Sequence, residues 1–261
     1  AANTNVVDVA TAASSILANF TVTAPVAGNV WVAETANDIT WSTPVAGVPA
    51  TVKVEYNVGG GWNAIPENFG TANDGIVGNT GTQSWTLGTG LSNAAKIRIS
   101  DPANAASIIE SDPFKVRGSF TMTAPNGLES WEIGTTQAVT WTKKGAVTAV
   151  KLQLSTAGDG GPFNALVDGD SVDTQNIDVS GAGPYTFNWK VPNVAGITTT
   201  NAKLRVVDGN DASVYDTSDD AFTVKGRVVL TAPDGGETLT VGTPFAVTGT
   251  VLGPIGSVKM F

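Results

Sequence analysis

The chain has 261 residues, 41% hydrophobic and only 14% charged, with 30 Gly and 13 Pro, a balance that suits many short strands joined by turns. Its net charge of −9 repels phosphate backbones, which argues against nucleic acid as a partner, and no apolar run reaches the ~18 residues of a membrane span. The absence of Cys and His removes disulfides, thiolate chemistry, Ser-His triads and the commonest metal ligand, so neither an enzyme nor a bound cofactor is expected.

In chain order, residues 1–19 come first. Val7-Asp8-Val9-Ala10-Thr11-Ala12 is similar to Ser100-Asp101-Pro102-Ala103-Asn104-Ala105 and to Val207-Asp208-Gly209-Asn210-Asp211-Ala212. The segment therefore reads as the tail of a preceding repeat or as a donated N-terminal strand. Asn19-Phe20-Thr21 is an N-glycosylation sequon, with Asn19 as its acceptor.

Phe20-Thr21-Val22-Thr23-Ala24-Pro25 then opens a unit that returns as Phe120-Thr121-Met122-Thr123-Ala124-Pro125 and as Val228-Val229-Leu230-Thr231-Ala232-Pro233. The prolines are 100 and 108 residues apart, the size of a domain with its own core. The organisation expected is a first sandwich over 20–118, a second over 119–226, and the opening strands of an incomplete third over 227–261.

Within each repeat apolar and polar residues alternate, which marks strands with one buried and one wet face. Val52-Lys53-Val54-Glu55-Tyr56, Lys96-Ile97-Arg98-Ile99 and Phe114-Lys115-Val116 do so in the first repeat. Val150-Lys151-Leu152-Gln153-Leu154, Ala202-Lys203-Leu204-Arg205-Val206 and Phe222-Thr223-Val224-Lys225 match them in the second. Lys and Arg are expected on the wet face. Gly59-Gly60-Gly61 and Gly158-Asp159-Gly160-Gly161-Pro162 supply hairpin turns. About seven short strands per ~100 residues, all read as antiparallel, give an all-β chain of tandem Ig-like antiparallel β-sandwiches with very short linkers. Linkers of one or two residues, around Gly118 and Gly226, predict a stiff rod.

The second repeat carries Pro125-Asn126-Gly127-Leu128-Glu129-Ser130-Trp131 followed by Val139-Thr140-Trp141, and the third carries Pro233-Asp234-Gly235-Gly236-Glu237. This resembles the P-N-G-G-E-x-W…I-T-W pattern of Ig-like tandem repeats in large secreted and surface proteins of bacteria and archaea. It is also similar to the Ser/Thr-rich Ig-like domain of fungal cell-wall proteins. The first repeat keeps Ile39-Thr40-Trp41 but has Pro25-Val26-Ala27-Gly28-Asn29 in place of the Gly-Gly-Glu stretch. The resemblance implies an extracellular, cell-surface location and a structural or adhesive role.

Trp41 with Trp141, and Trp85 with Trp189, hold equivalent positions and are expected in the core. Trp62 and Phe163 follow glycine turns and are the candidates for stacking on a ligand such as a cell-surface glycan. Asp168, Asp170 and Asp173 alternate in a loop and are the calcium candidates, because carboxylates so spaced can share one hard cation. Ser155–Phe163 resembles the Asp-box hairpin of sialidases, and is read as turn chemistry. Tandem sandwiches without a reactive constellation point to a structural module of an extracellular fibre, surface layer or giant cell-surface protein, self-assembling as a homopolymer. The alternative is an adhesin or a carbohydrate-binding accessory module of a secreted enzyme. Residues 227–261 leave Val229, Leu239, Val241, Phe245 and Val247 without a covering sheet. Either more chain follows, or residues 1–19 of an adjacent subunit complete the sandwich by strand donation.

Overall fold

A computed structural model of the chain describes residues 17–45, 48–66 and 74–259. Among the described residues every regular element is a strand. The chain divides into two compact units. The first holds most of the residues up to Val116, and the second holds Arg117 onward together with Val32–Glu34 and Gly88–Leu91.

The first repeat contains β1 (Thr21–Ala24), β2 (Val30–Val32), β3 (Ala36–Ser42), β4 (Thr51–Asn57), β5 (Asn63–Ala64), β6 (Ile76–Gly78), β7 (Thr82–Thr86), β8 (Ser92–Asp101), β9 (Asn104–Glu110) and β10 (Phe114–Arg117). The second contains β11 (Ser119–Ala124), β12 (Ser130–Glu132), β13 (Thr136–Lys144), β14 (Ala149–Ser155), β15 (Asn164–Ala165), β16 (Ile177–Asp178), β17 (Tyr185–Lys190), β18 (Thr199–Asp208), β19 (Tyr215–Thr217) and β20 (Phe222–Lys225). The third contributes β21 (Arg227–Ala232) and β22 (Thr248–Leu252). Single residues, Gly118 and Gly226, separate β10 from β11 and β20 from β21.

Each repeat builds the same pair of sheets. A small sheet has the order β1-β3-β7 in the first and β11-β13-β17 in the second. A large sheet runs β2-β10-β8-β4-β5, with β6 on β4 and β9 on β8, and is matched by β12-β20-β18-β14-β15, with β16 on β14 and β19 on β18. The alternation read from sequence is the packing pattern. In β14 Val150, Leu152 and Leu154 are buried while Lys151 and Gln153 lie half-buried on the other face.

The ladder of β12 on β20 departs from the antiparallel expectation. Ser130, Trp131 and Glu132 of β12 pair in parallel with Thr223, Val224 and Lys225 of β20. After Pro125 the chain leaves the small sheet and crosses to the edge of the large one, where it runs beside the last strand in the same direction. This crossing drops Trp131 between the sheets. Its ring lies 4.8 Å from Phe222 and 5.7 Å from Trp189. Trp31 repeats the arrangement against Phe114 at 4.8 Å and Trp85 at 6.4 Å. Trp41, Trp85, Trp141 and Trp189 are buried as expected.

The opening strand of every repeat carries the same bulge. Register shifts between Val22 and Ala24, Met122 and Ala124, and Leu230 and Ala232. At each, two threonine hydroxyls bond across the strands: Thr23 to Thr40 at 2.7 Å, Thr123 to Thr140 at 2.6 Å, and Thr231 to Thr248 at 2.9 Å. A bulge leaves one residue unpaired and bends the strand. The threonine pair supplies a side-chain bond at the place where the ladder is broken.

Candidate functional site: motif turns, the outer face of the large sheets and an open hairpin

The residues that carry the family resemblance act on their own turn. Glu129 accepts from the backbone N–H of Asn126 through Oε1 and of Gly127 through Oε2, both at 2.8 Å. Glu237 does the same for Asp234 at 2.6 Å and Gly235 at 2.8 Å. The N–H of Asp234, then Glu237's own and that of Gly235, holds the Glu237 carboxyl below its ordinary range, because bonds to the charged form favour it. In the first repeat Asn29 takes over one of these bonds, from Val26 at 2.9 Å. Glycine at position 127 has a local cause: a Cβ there would lie 2.4 Å from Asp220 Cβ, at a φ of +127°. The Asn126 side chain completes the clamp, donating to Asp219 Oδ2 at 2.6 Å and accepting from Asp219 N at 2.7 Å.

The calcium candidates are not brought together. Asp168 is buried, and its Oδ2 accepts from Asp170 N at 2.8 Å and Val172 N at 3.3 Å while its Oδ1 accepts from Lys190 N at 2.8 Å. Asp170 pairs with Lys190 at 3.5 Å, and Asp173 accepts from Gln175 N. Each carboxylate is spent on loop structure, and no group of three potential metal ligands converges among the described residues. Around Ser155 the expected turn is found. Its Oγ donates to Gly158 O at 2.7 Å and accepts from Ala157 N at 3.3 Å. Asn19 is exposed.

Trp62 and Phe163 are half-buried, and each has an arginine on its ring. Arg98 Cζ is 4.3 Å from the Trp62 centroid, and Arg205 Cζ is 3.7 Å from that of Phe163. The two arginines occupy equivalent outward positions on β8 and β18. Their surroundings differ. Arg98 donates from Nε and Nη2 to Glu55 Oε2 at 2.9 and 2.7 Å, and Lys53 reaches Glu55 Oε1 at 2.9 Å. Burial pushes the Glu55 carboxyl up, but bonds from Lys53 and Arg98 outweigh it and leave the group below its ordinary range. Arg205 instead has a second ring, Tyr215, at 4.1 Å, and donates through Nε to Thr217 Oγ1 at 3.0 Å. The residue facing it across the ladder is the neutral Gln153. Nothing in either strand alone shows this cluster, because Arg205 meets Phe163 only through the pairing of β15, β14 and β18.

The wet-face expectation fails at Lys203. It is buried, with Nζ donating to Ser218 O at 2.9 Å and Asp219 O at 2.7 Å and pairing with Asp159 at 3.4 Å. Loop carbonyls fold over the ammonium and substitute for water.

The third repeat presents β21 and β22 as a two-stranded sheet. Val228 and Leu230 stand where Phe120 and Met122 are buried in the second repeat, yet both are exposed. Leu239 and Val241 match the buried Trp131 and Ile133, and Val241 is fully exposed at 101%. Phe245 and Val247 are exposed as expected. Val229 is half-buried instead, because period two puts Val228 and Leu230 on the face that lacks its sheet. The strand-donation expectation for residues 1–19 falls largely on residues outside those described. The hairpin seats on the second sandwich through a glycine seam. Gly253 donates to Asn193 Oδ1 at 3.0 Å, and a Cβ on it would lie 2.6 Å from Ile133 Cδ1 and 3.3 Å from Gly226 Cα. Leu252 packs against the second core.

No family model matches the chain, and no curated protein matches it. Among solved structures it is similar to the fibronectin(III)-like modules of CbhA from Clostridium thermocellum, at 20% identity over 78% of this chain and 94% of that one, TM-score 0.26. It is similar to the N-terminal four Ig domains of Dscam1 isoform 4.44, at 14% identity over 91% and 61%, TM-score 0.24. It is also similar to the two tandem V-type regions of VCBP3, a v-region-containing chitin binding protein, at 9% identity over 79% and 99%, TM-score 0.25. Among the described residues no helix is long and apolar enough to cross a membrane. The strand ladders themselves establish the class: an all-β chain of tandem Ig-like sandwiches.

Proposed function

We propose that the chain is a structural repeat segment of an extracellular fibre, surface layer or large cell-surface protein, with no catalytic role. One observation carries this reading. The hairpin of the third repeat follows the second sandwich after a single residue, and a seam of Gly226 and Gly253 that leaves no room for a side chain holds it there. A junction so close transmits force and orientation from one repeat to the next, which suits a spacer. The repeated turn clamp and threonine bulge keep the shared architecture while core and surface vary. In this reading the exposed apolar face of residues 227–259 is covered in an assembled array, and residues 1–19 of an adjacent subunit are the proposed cover.

Negative-stain microscopy of the purified chain tests this. Ordered filaments are expected, and deletion of residues 1–19 should abolish them while residues 20–226 stay folded. A chain that remains monomeric at high concentration, or filaments untouched by the deletion, defeats self-assembly by strand donation. Protease-resistant signal confined to the interior of intact producing cells defeats the surface assignment. The alternative, an adhesin or carbohydrate-binding accessory module, is favoured by the cluster around Arg205.

A further inference from the structure

The two sandwiches solve the same electrostatic problem differently. In the first, Lys53 and Arg98 grip the carboxylate of Glu55 from both sides. In the second, the equivalent cations are Lys151 and Arg205, and the equivalent of Glu55 is Gln153. Among the described residues neither Lys151 nor Arg205 pairs with an acidic side chain, in a chain that carries 23 of them. The second repeat keeps the basic jaws and lacks the anion between them.

Arg205 is also held in place by its neighbours. Phe163, at the β15 side of the sheet, and Tyr215, on β19, approach its guanidinium from opposite sides of β18 at 3.7 and 4.1 Å. Thr217 takes Nε. Two rings thus lie against the group and its Nε is spent. What remains is the in-plane edge of the terminal nitrogens, the edge that binds a carboxylate through two parallel N–H bonds. Rings that fix the guanidinium also reduce the side-chain entropy lost on binding.

We propose that the outer face of the large sheet in the second sandwich binds a uronate, the carboxylate-bearing sugar of an acidic polysaccharide, with Arg205 and Lys151 on the carboxylate. The bound carboxylate does from outside what Glu55 does from within the first repeat. Its neighbours suit a sugar. Tyr215 is 50% exposed and offers a ring edge and a hydroxyl, and Gln153 supplies an amide that can both donate to and accept from sugar hydroxyls. The inference stands apart from the strand-donation reading, since it uses no residue of 1–19 or 227–261.

The test is calorimetric titration of the full chain with a short oligogalacturonate at low salt, where the local pair of cations outweighs the repulsion of the net charge of −9, beside a neutral oligogalactose and an oligoglutamate. Binding of the uronate alone is expected, weakening as salt rises. Arg205→Gln and Lys151→Gln should each weaken it about tenfold or more, the scale of one lost charge-assisted bond. Gln153→Glu restores an internal carboxylate and should abolish binding while the sandwich stays at least as stable. This variant separates a lost site from a lost fold. In the first sandwich, Glu55→Gln should create a second binding site. Uronate binding unchanged in Gln153→Glu, preference for oligoglutamate, equal binding of the neutral sugar, or no binding at all would each overturn the proposal.

Discussion

Trp41 and Trp141 are equivalent in position but not in chemistry, and the difference is measurable. Trp41 Nε1 donates to Asn79 Oδ1 at 2.8 Å, and Asn79 in turn donates to Pro49 O at 2.8 Å. Trp141 is wholly buried, yet its Nε1 has no acceptor among the described residues. Its ring stacks on Tyr185 at 6.0 Å and 20°. Replacing indole by phenyl removes about three ring atoms, a loss of about 2 kcal/mol at ~0.8 kcal/mol per buried carbon. In Trp41→Phe a net hydrogen bond worth about 1 kcal/mol is lost as well, for a total near 3 kcal/mol. In Trp141→Phe an unsatisfied buried donor disappears, and relief of about 1 kcal/mol brings the cost down to about 1 kcal/mol. Phenyl keeps the stacking on Tyr185. Urea titration of the full chain, followed through the amide resonances of each sandwich, reads the two costs separately. If Trp141→Phe costs as much as Trp41→Phe, the indole N–H of Trp141 is satisfied in solution and the reasoning fails.

Glu55→Gln should flatten the acid limb of the first sandwich's stability. A carboxyl held below its ordinary value of 4.5 stabilises the fold above that value and loses its contribution as pH falls through the lowered one; an unchanged pH profile in denaturant titration would contradict this. Glu129→Gln leaves one of two backbone N–H groups without its acceptor and should cost about 1–2 kcal/mol, read from the urea midpoint of the second sandwich. Gly253→Ala places a methyl 2.6 Å from Ile133 Cδ1 at a φ of +81°. It should release residues 227–259 to limited proteolysis beyond Lys225 while the second sandwich resists, and equal resistance of the hairpin would show that the seam yields.

Much of the architecture was legible because period two is a strong signal where one face is buried. Val150, Leu152 and Leu154 declare their strand without help from the rest of the chain. The tryptophans of the Ile-Thr-Trp and Val-Thr-Trp stretches could be placed in the core for the same reason. Three things were not legible. The parallel seat of Ser130–Glu132 depends on a strand 93 residues away. Burial of Lys203 depends on the carbonyls of a loop that turns back over it, while its alternation is that of a wet residue. The calcium expectation took spacing as convergence, whereas Asp168 folds inward to cap its own loop and Asp170 turns to Lys190. The cluster at Arg205 did leave one trace: aligning Lys53-Val54-Glu55 with Lys151-Leu152-Gln153 shows a carboxylate exchanged for an amide between basic partners that both repeats keep.

The open hairpin bears on how such an array is made. Its threonine bulge and glutamate turn are formed although no second sheet covers them among the described residues. Pairing of β21 with β22 closes over short sequence distances, and such contacts form early because little chain entropy is lost. A lone two-stranded hairpin is only marginally stable in water, but this one has a finished sandwich to lean on, through Leu252 and Gly253. An edge of one repeat that the next can lean on ties the stability of neighbouring repeats together, as nearest-neighbour interfaces do in stacked arrays.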